Sequence, residues 1–138
     1  VTPDEAERVV ALAEELDTAV SLAAEADGAR PAWVRLAAER VVERIHQAAA
    51  ALDRGQAERY LTVDGLRALR GMRNRLAHNY LAIDETVLWR ALSDEAPAAR
   101  ARLEDDLRVA HAVLAGSRRA AQDAETWRSG HLRPLDPS

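Results

Sequence analysis

An all-α fold, an up-and-down bundle of four main helices and one short one, is what this sequence predicts, and three observations predict it. Alanine dominates the composition, with leucine, glutamate and arginine behind it, all good helix formers. Apolar residues recur at intervals of three and four along most of the chain, the signature of one buried helix face. Glycine, proline and aspartate interrupt these stretches with short connections, which places successive helices antiparallel. The chain's 138 residues suffice for one domain with its own core. No repeat at a solenoid period is present.

The first helix is expected over residues 3 to about 26. Thr2 is placed to cap it, Pro3 suits the first helical position, and Asp4 and Glu5 favour its positive end. Val9, Ala13, Leu16, Val20 and Ala23 make one buried stripe, and Asp27-Gly28 ends the helix. Pro31 opens the second, with Trp33, Ala37, Val41, Ile45, Ala48 and Leu52 on one face; residues 53–55 stop it. "RGQAERYLTVD", residues 54–64, reads as a loop leading to a third helix over about 64–81. A fourth, shorter helix begins near Asp84, turns Val87, Leu88 and Leu92 inward, and ends before Pro97. The fifth, over about 98–115, buries Leu103, Leu107, Ala110 and Leu114. A polar extension follows, expected to be helical as far as Trp127 and looser beyond. The expected division is thus a bundle over 1–116 and an extension over 117–138. Trp33 and Trp89 are expected as core or interface anchors.

Composition also excludes. Without cysteine there is no disulfide, no thiolate nucleophile and no cysteine-ligated zinc. The formal net charge of −4 argues against broad, nonspecific coating of nucleic acid. A local exception runs over residues 64–81, where Arg67, Arg70, Arg73 and Arg75 face Asp64 alone, a balance of +3. All nineteen basic residues are arginine, a bias that fits a GC-rich genome better than a functional demand. The start is acidic and amphipathic, with no basic leader and no run of about 18–20 apolar residues, so a cytoplasmic protein with no membrane segment is expected. Its initial Val suggests a non-standard start codon or a trimmed chain.

"RGMRNRLAHNYLAID", residues 70–84, departs from generic helix. At about 100° per residue, Leu66, Leu69, Leu76 and Tyr80 share one side, and Arg73 falls among them. A charge at such a seam is costly if buried unpaired, so Arg73 is expected to meet a partner or open onto a cleft. Asn74 and His78 lie about 140° and 180° from Leu69. Arg73 and His78 therefore diverge by about 140° on a straight helix, and one copy converges poorly on a small target. Two copies across a two-fold axis converge well if the helix loosens near its end, which points to a homodimer with a composite site.

These residue types suit phosphodiester cleavage. An imidazole titrating near neutrality can take a proton from a ribose 2′-hydroxyl or return one to the leaving oxygen. A guanidinium can hold phosphate through two parallel hydrogen bonds and stabilise transition-state charge. Asn74, one turn below His78, is placed to orient the ring or hold the backbone, and Arg70 and Arg75 are candidate RNA contacts. From residue types alone the question stays open. An Arg and a His five apart recur often by chance, and a tyrosine such as Tyr80 is commonly a half-buried aromatic with its hydroxyl in water. Gly71, which costs about 1 kcal/mol against alanine in mid-helix, fits either a close helix approach or a small bend.

The other candidates carry less. His46, His111 and His131 share no metal-binding spacing and no carboxylate pair accompanies His78, so no metal and no cofactor is expected. His46 and His111 suit solvated or packed helix positions. "EDD", 104–106, is most simply a solvated face, with contact to a partner's basic helix as the alternative. No nucleophile-elbow serine and no glycine-rich phosphate loop is present.

"GMRNRLAHNY", followed by "AID" and "LW", resembles the HepT-type toxins of the HEPN superfamily, whose signature is R-N-x-x-x-H-x-Y with a downstream acidic residue and tryptophan. Arg73, Asn74, His78 and Tyr80 match the signature, and Asp84 and Trp89 match the downstream pair. The resemblance covers about residues 64–107, and Pro97 fits it too. Gly65-Leu66 stands where the family often has Pro-Trp, and Asn79 where glycine or aspartate is frequent, departures that touch helix entry and cleft packing. The resemblance implies a dimeric helical bundle, a metal-independent endoribonuclease with Arg73 and His78 catalytic and Asn74 supporting. It further implies a partner, a minimal nucleotidyltransferase antitoxin of the MntA type, that adenylylates Tyr80. Two rival readings are a catalytically idle HEPN partner that only docks and serves as nucleotidyltransferase substrate, and a purely structural helical dimer.

Overall fold

Thr2 opens the first helix in the manner its sequence predicts. Its hydroxyl accepts from the Glu5 amide at 3.2 Å while the Glu5 carboxylate accepts from the Thr2 amide at 2.8 Å, a reciprocal box that satisfies two otherwise orphaned donors. The computed structural model describes residues 1–26, 31–78 and 84–131, and among them there is helix and no strand. Helix α1 spans Pro3–Glu25 and packs against α2 (Ala32–Ala50), α6 (Ala96–Arg102) and α7 (Glu104–His131). Being enclosed on several sides, α1 buries a broader face than one stripe: Ala6, Val9, Leu12, Ala13, Leu16 and Ala19. Val20 and Ala23, further along, are only half-buried.

Helix α2 keeps Val41 and Ile45 of the expected face in the core, with Leu52 just beyond its end, but its first turns are rotated from expectation. Val34, Ala38, Val42 and Ala49 are buried, whereas Trp33 is 67% exposed. Two adjacent apolar rows run along this helix, and the row that faces α1 carries Val34 and Val42. The indole is therefore no core anchor among the described residues.

The expected loop after α2 is instead a helix, α3, Arg54–Leu61. Ala57 and Tyr60, three apart, turn the same way and are buried. Tyr60 is fully buried, and its hydroxyl donates to Asp106 on α7 at 2.5 Å, which makes the burial affordable for a phenol. Arg59 reaches the same carboxylate at 2.6 Å, and Arg102 donates to the Tyr60 carbonyl at 2.9 Å. The acidic run 104–106 is thus engaged within its own chain: Glu104 pairs with Arg100, Asp105 with Arg108, and Asp106 holds α3 against α7. Burial and the hydrogen bond to Asp106 push the Tyr60 hydroxyl above the ordinary phenol range.

Helix α4, Val63–His78, packs on α2 and α3. Helix α5 spans Glu85–Arg90; Leu88 and Trp89 are buried, but Val87 is 45% exposed, against expectation. The helical path does not stop before Pro97. It widens into a π-helical turn, Ala91–Glu95, and continues as α6 with Pro97 in its first turn. There the missing proline N–H is harmless, and the widened turn, closed by Ala96 N–H to the Ala91 carbonyl, sets the register ahead of the ring. Helix α7 begins at Glu104 and runs unbroken through Gly116 to His131, past the expected end near 115 and past Trp127. Leu107 and Ala110 are buried, Leu114 is half-buried, and from residue 117 every described position is exposed. No helix among the described residues is long and apolar enough to cross a membrane.

Candidate functional site

The helix that carries the motif starts from an unusual backbone. Thr62 closes α3 and opens α4 with φ 65° and ψ 161°, a region almost reserved for glycine. Its hydroxyl accepts from the Gly65 amide at 3.0 Å, and its carbonyl from Leu66 at 3.0 Å. A Cβ on residue 65 would lie 3.1 Å from that hydroxyl, so Gly65 lets the cap close tightly. The Gly65-Leu66 departure from the family pattern thus has a local function in helix entry.

Along α4, Leu69 and Met72 are buried and Leu66 and Leu76 half-buried. Met72, not Arg73, completes the seam: Leu69, Met72 and Leu76 lie within about 60° of one another on the helix, and the bundle packs on that arc while the flank with Arg73 stays exposed. Arg73 is exposed in the single chain, as are Arg70, Asn74, Arg75 and His78. Arg70, Arg73 and Arg75 form no ion pair among the described residues, whereas Arg67 makes a loose one with Asp64 at 3.8 Å. Arg70 and Arg73 therefore stand along one flank of α4, available to an anion, and Arg75 leaves the helix about 160° from Arg73. Since α4 is continuous from Val63 to His78, Arg73 and His78 leave its axis about 140° apart. One chain brings both to the same exposed helix without converging them. Tyr80 lies outside the described residues, as do Asn79, the expected helix end at Leu81 and the expected stop at Asp27-Gly28.

The downstream pair is structural. Asp84 caps α5, accepting from the amides of Thr86 at 2.8 Å and Val87 at 3.4 Å, and Trp89 is 5% exposed in the core. This pair fixes the start of α5 and its seat in the core.

An imidazole that the sequence reading placed elsewhere joins the basic flank. His46 on α2, half-buried, faces α4; burial and then the charges of Arg73 and Arg70 hold it below the usual histidine range. It borders a groove of about 350 Å³ whose walls include Arg54 and Glu58 of α3 and Arg67 and Arg70 of α4. The signal was present in its position, four after Val42 and three before Ala49, on the edge of the buried row. A second, more apolar cavity of about 440 Å³ lies on the other side of the seam, with Leu16, Ile45, Met72 and Leu92 among its walls. No cluster of three histidine or carboxylate side chains suited to a metal ion occurs among the described residues. What the exposed side of α4 can do chemically is bind phosphate through guanidinium groups, with the His46 imidazole beside Arg67 and Arg70 and the His78 imidazole on another face of the helix.

Comparison with curated proteins and with solved structures gives no significant match. A family model described as Ribonuclease HepT-like matches residues 12–105, a span that holds α1 from Leu12 onward, the motif helix and the Asp84–Trp89 segment, and the chain, with its all-α, HEPN-like fold, belongs to the HepT-like ribonuclease family.

Proposed function

We propose that this protein is an endoribonuclease toxin that cleaves RNA by attack of a ribose 2′-oxygen on the adjacent phosphorus, in a cleft built from two copies of α4. His78 takes the 2′-hydroxyl proton or delivers one to the departing 5′-oxygen, and Arg73 stabilises the charge on the phosphorane-like transition state. The products are a 2′,3′-cyclic phosphate and a free 5′-hydroxyl, with no metal required. Asn74 supports the histidine one turn below it, and Arg70 and Arg75 hold neighbouring stretches of the RNA backbone. A minimal nucleotidyltransferase neutralises the toxin by adenylylating Tyr80, which adds a charged phosphodiester at the entrance RNA must use.

The observation that carries this reading is the family match over the R-N-x-x-x-H motif, together with the exposed Arg70 and Arg73, which meet no carboxylate among the described residues. The divergence of Arg73 and His78 on one continuous helix supports a homodimer, in which each copy supplies what the other's helix turns away. The test is purified protein incubated with RNA in EDTA beside His78→Ala. Cleavage by the wild type and a loss of about 10²- to 10⁴-fold in the variant is expected. Cleavage that His78→Ala retains while folded would move the reading to the idle, docking partner, and cleavage that needs magnesium would replace the mechanism. Sedimentation should give a dimer at micromolar concentration; a monomer there would remove the composite cleft.

A further inference from the structure

The groove beside the motif helix has a composition that its packing does not explain. Arg67, Arg70 and Arg73 follow one another at intervals of three residues, about 4.5 Å of rise each, so a ridge of guanidinium groups leads along α4. Arg67 and Arg70 stand on the wall of the groove, and Arg73, the proposed catalytic arginine, lies one step beyond it. From the facing helix, His46 closes the groove and senses both Arg70 and Arg73. From α3, Arg54 and Glu58 also line it, but these two pair with each other at 3.1 Å and leave little net charge. The other polar groups on the wall are two guanidinium groups, only loosely committed elsewhere, and an imidazole held among them, and the floor is apolar, with Leu52, Val63, Leu66 and Leu69. A half-buried histidine beside arginines is held in its neutral form, and an anion entering the groove would favour its protonation.

We propose that the groove between α2, α3 and α4 is a phosphate subsite in which Arg67, Arg70 and protonated His46 hold the RNA phosphate next to the one being cleaved. This rests on the proposed RNA-cleaving function. Phosphate entry weakens the positive field at the imidazole: the arginine charges that disfavour its proton are partly offset by the anion, which then accepts a hydrogen bond from the ring. Binding at the groove therefore takes up a proton. Affinity is greatest below the free imidazole's titration range and weakens as pH rises through it. His46 is a binding residue in this account, with no part in bond breaking.

The test uses the full chain and two probes. First, the His46 ring is followed by NMR against pH, with and without inorganic phosphate, in the wild type and in Arg70→Ala. Phosphate is expected to raise the midpoint of His46, and less so in Arg70→Ala; a midpoint that phosphate leaves in place overturns the subsite. Second, binding of a fully 2′-O-methylated oligoribonucleotide, which has no 2′-hydroxyl to attack, is measured at pH 5.5 and 7.5. A rise of one unit in the His46 midpoint corresponds to about tenfold tighter binding at the lower pH. His46→Gln, with its fold checked by circular dichroism, should lose most of that difference. It should also lower the slope of log affinity against log salt by about 0.7 at pH 5.5, the loss of one charge contact to a single strand. A His46→Gln protein with the wild-type pH response and salt slope overturns the proposal. A midpoint that moves with phosphate while the oligonucleotide fails to bind keeps the subsite and removes the RNA reading instead.

Discussion

Truncating Met72 and Arg73 separately to alanine separates the fold from the site at two adjacent positions. Met72 is 6% exposed and forms part of the seam that holds α4 on the bundle. Core Met→Ala replacements cost about 2–5 kcal/mol, the spread reflecting how far the surroundings relax. Here one side of Met72 already borders the cavity of about 440 Å³, so some of its dispersion contacts are absent from the start. The low end, about 2 kcal/mol, is therefore expected. For a domain of this length that corresponds to a fall in Tm of about 6–10 °C. Arg73 is exposed and meets no carboxylate among the described residues, and alanine is the better helix former. Arg73→Ala should thus change stability by less than about 0.5 kcal/mol. In the proposed mechanism its effect falls on RNA cleavage, where loss of a transition-state donor costs about 10²- to 10³-fold. Urea and thermal unfolding by circular dichroism, run beside RNA cleavage, read both quantities. Loss of more than about 1 kcal/mol in Arg73→Ala, or less than about 0.5 in Met72→Ala, would refute the assignment of the seam.

Three further outcomes are expected. Thr62→Gly relieves a backbone conformation that costs threonine about 1–3 kcal/mol, while glycine in place of the capping hydroxyl loses only a few tenths; the variant should unfold at higher urea, whereas Thr62→Ala, which keeps the strain and loses the cap, should unfold at lower. His46 has a folded-state pKa below its unfolded 6.5, so the stability linked to its neutral form is complete above pH 6.5 and is lost as pH falls through the folded value; His46→Gln should flatten that part of the acid-side decline in unfolding free energy. Tyr80→Phe, which lacks the acceptor oxygen, should remain toxic on expression yet resist rescue by the cognate nucleotidyltransferase, and full rescue or AMP on another residue by intact mass would refute the switch.

Local signals were strong where a single helix settles the matter. The capping box at Thr2 and Glu5, the α1 stripe through Leu16, and the inward Leu103, Leu107 and Ala110 were all legible, because caps and three-four spacing act within one or two turns. The motif helix was legible for the same reason, and with it the family. Short-range signals misled where distant residues decide. "RGQAERYL" reads as a loop because Gly55 and its polar residues give it poor propensity, but Asp106, 46 positions away, satisfies Tyr60 and makes the buried helix worthwhile. Pro97 reads as a stop because nothing in the sequence announces a π-helical turn ahead of it.

By itself, then, the sequence determined that the chain is helical, where most helices start, and that Arg73, Asn74 and His78 share one of them. Tertiary structure decided which of two adjacent apolar rows on α2 meets α1, that Met72 and not Arg73 enters the seam, and that His46 faces the arginines of α4. The physical reason is one of angle. Helical periodicity defines a face only to within about one residue, or 100° of rotation, and two candidate rows that close together differ in free energy chiefly through what packs against them. That information resides in the neighbouring helices, so only the assembled bundle specifies which side of each helix is buried and which is left for chemistry.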